Sequence, residues 1–312
     1  MDDAHRENRR LNLSAGLLSV AVAFALVLAK LWALAATGAL SIAATLADSA
    51  LDLLMSAGGL AAIAYAARPA DEDHAFGHSS AEDLAALAQS VFILVSAAVI
   101  AVAAILRLLA PDPPAIAAEG AGMAVVAFSI LVTFALVLWQ RHVARRTGNK
   151  VVSADSLHYI GDLAPNAGAL IALWASAVLG LTRIDAVVAL FAAVLMVTGA
   201  LRIGKDAFDA LMDRRADPAV IAGIADIARG FPGVQGFHDL KTRVAGSRIF
   251  VNIHIELDGA QSLDEAHAIG AALRRAIIAA YPRAEVLIHK DPAGVRRHPE
   301  DPRPDRARPR GT

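Results

Sequence analysis

With 312 residues, 56% hydrophobic side chains and a mean hydropathy of +0.51, the chain is too apolar for a water-soluble globule. A formal net charge of −1 implies no broad basic surface, which argues against nucleic acid as its main partner. The lack of cysteine removes disulfides, thiolate metal sites and cysteine catalysis, and leaves imidazole and carboxylate as the strong ligands.

The opening residues 1–10, MDDAHRENRR, mix acidic and basic side chains. No small-residue cleavage motif follows the first apolar run, so that run is expected to stay as a helix. Stretches of about 20 apolar residues predict six spans. They run Leu11 to Ala36, Ile42 to Ala67, Leu84 to Ala110, Ala115 to Gln140, Ser153 to Leu179 and Ile184 to Leu211. The turns on one side carry only Arg183. The other side carries Arg6, Arg9, Arg10, Arg68, Arg141, Arg145, Arg146, Lys150, Arg214 and Arg215, so both termini are predicted to be cytoplasmic, in a cell inner membrane. Small residues, Ala above all, allow close helix packing where lipid supplies no hydrophobic push. Lys30, in the outer half of the first span, reads as a snorkelling side chain.

The second span, within Thr37 to Gly59, holds Asp48 and Asp52 near its middle. Positions four apart share a helix face, and a carboxylate facing lipid costs several kcal/mol, so both are expected to face protein, water or a cation. The fifth span repeats the device with His158 and Asp162. Packed together, the two helices set three carboxylates and one imidazole around a point, a tetrahedral site for a divalent metal. Pro165 removes the hydrogen bond to the Gly161 carbonyl and predicts a kink or hydrated break beside Asp162. Between the second and third spans, RPADEDHAFGHSSAED carries Asp71, His74 and His78 in a D-x-x-H-x-x-x-H pattern. By itself this reads either as a metal site or as a solvated acidic loop with incidental histidines.

After Asp213 the composition becomes that of a small α+β domain. A helix is predicted over Pro218 to Arg229, then a strand over Val234 to Val244. The next strand, Arg248 to Leu257, alternates Ile249, Val251, Ile253, Ile255 and Leu257 against Asn252, His254 and Glu256. Ser262 and Glu265 form a capping box for a helix running to Ala280, and Glu285 to Lys290 is the third strand. The order is α-β-β-α-β. His238, His254, His267, His289 and Asp291 stand on elements that can converge, and five of the ten histidines in the chain fall in this small region or, as His298, in its tail, which favours a metal site over scattered surface histidines. The tail from Ala293, rich in Pro and Arg, is predicted to be disordered.

These motifs, TGALSIAATLADSALD, PADEDHAFGHSSAEDLAAL, ADSLHYIGD, LMDR and FHDLKTRVAGSRIFVNIHIEL with VLIHKDP, resemble those of the cation diffusion facilitators, in particular bacterial zinc and ferrous-iron efflux members. The resemblance covers roughly Leu11 to Pro292. It implies a homodimer in the lipid bilayer, each protomer an all-α six-helix transmembrane bundle followed by a cytoplasmic, metallochaperone-like α+β domain. The implied divisions are 1–10, a cytoplasmic segment; 11–213, the transmembrane domain; 214–292, the cytoplasmic metal-binding domain; and 293–312, the tail. It also implies metal-for-proton exchange by alternating access. The transport site falls on Asp48, Asp52, His158 and Asp162, and the loop site on Asp71, His74 and His78. A cytoplasmic binuclear site falls on His238, His254, His267, His289 and Asp291, with Asp291 able to bridge two ions. One departure is Ser80, where such members carry a Lys engaged in an interlock at the membrane surface of the dimer. Its carboxylate partner remains as Asp213, so the interlock is either missing or made differently.

Three carboxylates and a neutral imidazole carry −3, which a divalent ion reduces to −1, so protons compete with metal for the same atoms. His158, with Asp162 or Asp52 as second acceptor, is the expected proton sensor. One imidazole among carboxylates suits Zn²⁺, with Fe²⁺ and Cd²⁺ next; Mn²⁺-moving members resemble the pattern with Asp in place of that His. An intramembrane metalloprotease would need an open metal position and a general base, and the sequence has no H-E-x-x-H, so the chain does not read as an enzyme. A metal sensor without transport is the other reading. Carboxylates in mid-membrane favour transport, because a sensor has no need to bear that burial. A passive channel fits less well, since four-ligand sites release ions slowly.

Overall fold

The computed structural model describes residues 3–37, 40–110, 120–163 and 184–294. The predicted turns around Gly38, Pro111 to Pro114 and Gly180 to Arg183, the Pro165 kink and most of the tail lie outside them. The chain divides into two compact units, Arg6–Leu211 and a smaller one built on residues from Met212 onward.

The larger unit is helical. Its elements are α1 (Asp3–Thr37), α2 (Leu40–Ala66), α3 (Ser80–Leu109), α4 (Gly120–Thr147), α5 (residues 150–163) and α6 (Ile184–Leu211). Among the described residues, Arg6–Trp32, Ser49–Ala66 and Ser80–Leu109 are long and apolar enough to cross a membrane. Large apolar side chains such as Trp32, Leu54, Val99 and Phe191 point outward, as lipid allows, while the interior combines many Ala with larger side chains such as Ile93, Leu136, Tyr159 and Met196. Helix α1 starts eight residues before Leu11, and the Glu7 carboxylate pairs with Arg146.

The α4–α5 corner follows from three residues. Gly148, at φ +69°, ends α4 and donates its N–H to the Ala144 carbonyl at 2.8 Å. Asn149 then caps α5, its Oδ1 accepting from the Val152 N–H at 3.0 Å. The tight corner turns the chain back on itself, with α5 carrying His158 and Asp162. Lys150, next to the cap, donates to Asp83 Oδ1 on α3 at 2.7 Å and to the Asp206 carbonyl on α6 at 3.0 Å, tying α5 to the closely packed α3–α6 pair.

The smaller unit comprises α7 (Pro218–Arg229), β1 (Gly236–Ala245), β2 (Arg248–Leu257), α8 (Leu263–Ala280) and β3 (Ala284–Pro292). The sheet order is β1-β2-β3, with β1 antiparallel and β3 parallel to β2. The alternation read in β2 sends Val251, Ile253, Ile255 and Leu257 into a core with Ile224 of α7 and Leu273 and Ile277 of α8. Both helices cover that face. The opposite face of the sheet therefore carries the polar residues. The capping box of α8 is formed in both directions between Ser262 and Glu265, and those hydrogen bonds hold the Glu265 carboxyl below its ordinary value. Asp213, at φ +58°, pairs with Arg243 at 3.2 Å, while Ser80 is the first residue of α3.

Candidate metal centres

Helix α2 places Asp48 and Asp52 one turn apart, and α5 does the same for His158 and Asp162. His158 Nε2 lies 3.0 Å from Asp52 Oδ1 and 3.7 Å from Asp162 Oδ2. One ligand atom from each of these three residues falls within 4.8 Å of the others. The Asp48 side chain lies outside what is described. The imidazole is buried at 5% exposure, with Phe92 edge-on and Tyr159 tilted against it, each ring centroid 5.7 Å away. Gly161, between the two α5 ligands, lets α6 come close: a Cβ there would sit 2.4 Å from Met196 Cε. Lys30, expected to snorkel, makes a polar contact with α2. Its Nζ donates to Ser49 Oγ at 2.7 Å, beside Asp48 in sequence.

In the loop, the Asp71 carboxylate accepts from the His74 N–H at 2.8 Å, folding the chain into a turn that Gly77, at φ +78°, completes. Asp71 then faces both imidazoles, at 3.2 Å from His74 Nδ1 and 3.2 Å from His78 Nε2. The His74 backbone N–H is the main cause that holds the Asp71 carboxyl below its usual value, with both histidines adding to it. His78 is buried and braced by the edge of Tyr65 at 4.7 Å.

In the smaller unit the strand register sets His238 opposite His254 and His254 opposite His289, a row of imidazoles across three strands. Asp291 Oδ2 lies 3.4 Å from His238 Nε2 and 3.1 Å from His254 Nδ1, and its Oδ1 lies 3.2 Å from His289 Nε2. One carboxylate thus faces three imidazoles. His267 is different: it is exposed on α8, the helix that covers the other face of the sheet, and it does not join this group within one chain.

Several neighbours carry no motif in the sequence. Glu256 Oε1 lies 3.1 Å from His238 Nδ1, a contact that follows from its polar position in β2. Asp239 reaches 3.9 Å from His254 Nε2 because a bulge between His238 and Lys241 puts it at φ +48°. Asp155, 7% exposed in α5, accepts from Ser19 and Gln140. Its signal was the same as for Asp162, a carboxylate inside an apolar span.

The described helices include three long and apolar enough to cross a membrane, as in a polytopic membrane protein, and the three clusters of imidazole and carboxylate are donor sets of the kind that can hold divalent cations. Residues 16–212 match the family model of the cation efflux transmembrane domain, and residues 216–293 that of the cation efflux protein cytoplasmic domain. The chain is 40% identical over 286 residues to the cation-efflux pump FieF of Klebsiella pneumoniae, covering 92% of this chain and 94% of that protein. The FieF of Serratia proteamaculans matches to the same extent, 40% over 286 residues, 92% and 94%. The metal-bound C-terminal domain of the CzcD transporter from Thermotoga maritima is 28% identical, covering 25% of this chain and 91% of that one at a TM-score of 0.24. The chain belongs to the cation efflux, or cation diffusion facilitator, family: a multi-pass membrane transporter with a cytoplasmic C-terminal α+β domain, not an enzyme.

Proposed function

We propose that the protein exports Zn²⁺ from the cytoplasm in exchange for protons, with Fe²⁺ and Cd²⁺ as further substrates. The observation that carries this is a buried imidazole, His158, held between Asp52 and Asp162 inside a helical membrane unit. With Asp48 one turn from Asp52, the set is three carboxylates and one imidazole, which suits tetrahedral Zn²⁺. The relatives named cation-efflux pumps support the outward direction.

In this reading, metal binding requires His158 neutral at Nε2 and the carboxylates ionised. In the metal-free site the same Nε2 can carry a proton bonded to Asp52 Oδ1 at 3.0 Å. One atom thus holds either metal or proton, and exposing the site to each side in turn exchanges the two.

Asp71, His74 and His78 form a loop site at the cytoplasmic ends of α2 and α3. His238, His254, His289 and Asp291 form a cytoplasmic site, with Asp291 bridging two ions. His267 completes it only from a second copy of the chain, which agrees with a homodimer. Exposed Leu263 and Leu287, at 81% and 68%, give that domain apolar surface for a partner. Metal there stabilises the pairing or reports a loaded cytosol. Both termini face the cytoplasm, following the basic residues. The domain division proposed is 11–213 for the membrane part and 214–292 for the cytoplasmic part.

The test is internal pH in proteoliposomes under a Zn²⁺ gradient, repeated with Mn²⁺, Fe²⁺ and Cd²⁺. Zinc-driven proton movement that Asp162→Ala abolishes is the expected result. Zinc binding with no pH change in the wild type identifies a sensor or an uncoupled carrier, and a preference for Mn²⁺ overturns the metal assignment.

A further inference from the structure

One ionisable group inside the membrane unit has no part in the metal clusters. The Asp155 carboxylate is 7% exposed, and its Oδ2 accepts from Ser19 Oγ of α1 at 2.6 Å and from Gln140 Nε2 of α4 at 2.7 Å. Its Oδ1 accepts from Ser56 Oγ of α2 at 3.4 Å. Ser56 Oγ lies 2.8 Å from Ser19 Oγ and 2.9 Å from the Tyr159 hydroxyl. Four helices thus meet on one carboxylate, and three neutral donors replace the water it has lost.

The position matters more than the burial. Ser56 stands one turn after Asp52 on α2, and Asp155 stands one turn before His158 on α5. The Ser56–Asp155 contact is therefore the rung next to the Asp52–His158 contact on the same helix interface. A slide of α5 along α2 by one residue, about 1.5 Å, would break both. Gln140 and Ser19 hold the Oδ2 of the same carboxylate, so α5 is tied here to α1, α2 and α4 at once.

We infer that Asp155 is a positioning residue for metal transport, which through Ser56, Ser19 and Gln140 keeps His158 and Asp162 of α5 in register with Asp52 of α2. Asp155 does not touch the metal. This rests on the transport-site reading above, and the experiment separates the two.

Full-length protein in detergent is titrated with Zn²⁺ and with Co²⁺, whose visible spectrum reports tetrahedral coordination. The signal removed by Asp162→Ala defines the transport site. Asp155→Asn is expected to keep its helical content and its metal binding elsewhere, while transport-site affinity for Zn²⁺ falls at least tenfold and the tetrahedral Co²⁺ band weakens. The swap Q140E/D155N, which returns a carboxylate–amide pair in reversed order, is expected to restore most of both. Transport-site affinity and Co²⁺ spectrum within twofold of wild type in Asp155→Asn overturn the proposal alone. Wild-type Zn²⁺ binding in Asp162→Ala overturns the transport-site reading, and this inference with it. Should Asp155→Asn not fold, Ser56→Ala decides: a threefold or greater loss of affinity supports the proposal, and none overturns it.

Discussion

Replacing Lys150 by Met takes the ammonium away from the buried Asp83 carboxylate. Its side chain is fully buried, whereas that of Lys150 is 20% exposed, and the two lie 2.7 Å apart. At that distance, and at an effective dielectric constant of about 20, their attraction is roughly 6 kcal/mol, which offsets the cost of burying the carboxylate. Removing one partner of such a pair costs about 3–5 kcal/mol, mostly the penalty of the charge left behind. The substitution also removes the hydrogen bond to the Asp206 carbonyl, so α5 loses both ties that Lys150 makes, to α3 and to α6. At about 2–4 °C per kcal/mol for a unit of this size, the thermal midpoint should fall by roughly 6–20 °C. The assay is the fraction of protein that stays monodisperse after heating in detergent, followed by size-exclusion chromatography. The double variant D83N/K150M, which also removes the buried charge, should recover most of the loss. A midpoint for Lys150→Met within 2 °C of wild type, or a double variant worse than the single, would refute the reasoning.

The Asp71 carboxyl titrates below its ordinary 3.8 because the ionised form holds the His74 N–H. A depressed carboxyl stabilises the turn above the unfolded value and loses that effect as pH falls through the folded one, so the turn should persist at neutral pH and open only below pH 3.8, read by NMR exchange of the His74 amide. In the cytoplasmic domain, His254→Ala removes the middle of the imidazole row and should abolish binding of the first ion in equilibrium dialysis, whereas His267→Ala, which removes only a group supplied by a second copy, should lower the affinity less; equal losses would place His267 in the same cluster of one chain. Gly161→Val drives a Cβ into Met196 and should cost about 1–3 kcal/mol of stability and most of the transport rate. Met196→Ala in the same chain should return part of both in a vesicle uptake assay.

The division of labour between sequence and fold shows in particular residues. Asp52, His158 and Asp162, which the fold brings within reach of one another, stood out in the sequence because a carboxylate inside an apolar span demands a partner and helical spacing says which residues share a face; the same signal marks Asp48, whose side chain lies outside what is described. The β2 strand was legible for a similar reason: alternation of period two assigns Ile253 to the core and His254 to the other face without any tertiary information. Ser262 with Glu265, and Asn149 after Gly148, act on their own local backbone, so the chain's near neighbours determine them.

What the tertiary structure alone decided are relations between distant elements. Strand register, set by how β2 pairs with both β1 and β3, brings His238, His254 and His289 into one row; spacing along the chain contains no such information. The placement of α8 over the opposite face of the sheet separates His267 from that row, though both read as equal candidates in sequence. The bulge at Asp239, the docking of Lys150 on Asp83 and the meeting of Ser19, Ser56 and Gln140 on Asp155 depend on packing between segments up to 136 residues apart. Local physics selects which residues must be satisfied, and only the packed fold determines what satisfies them.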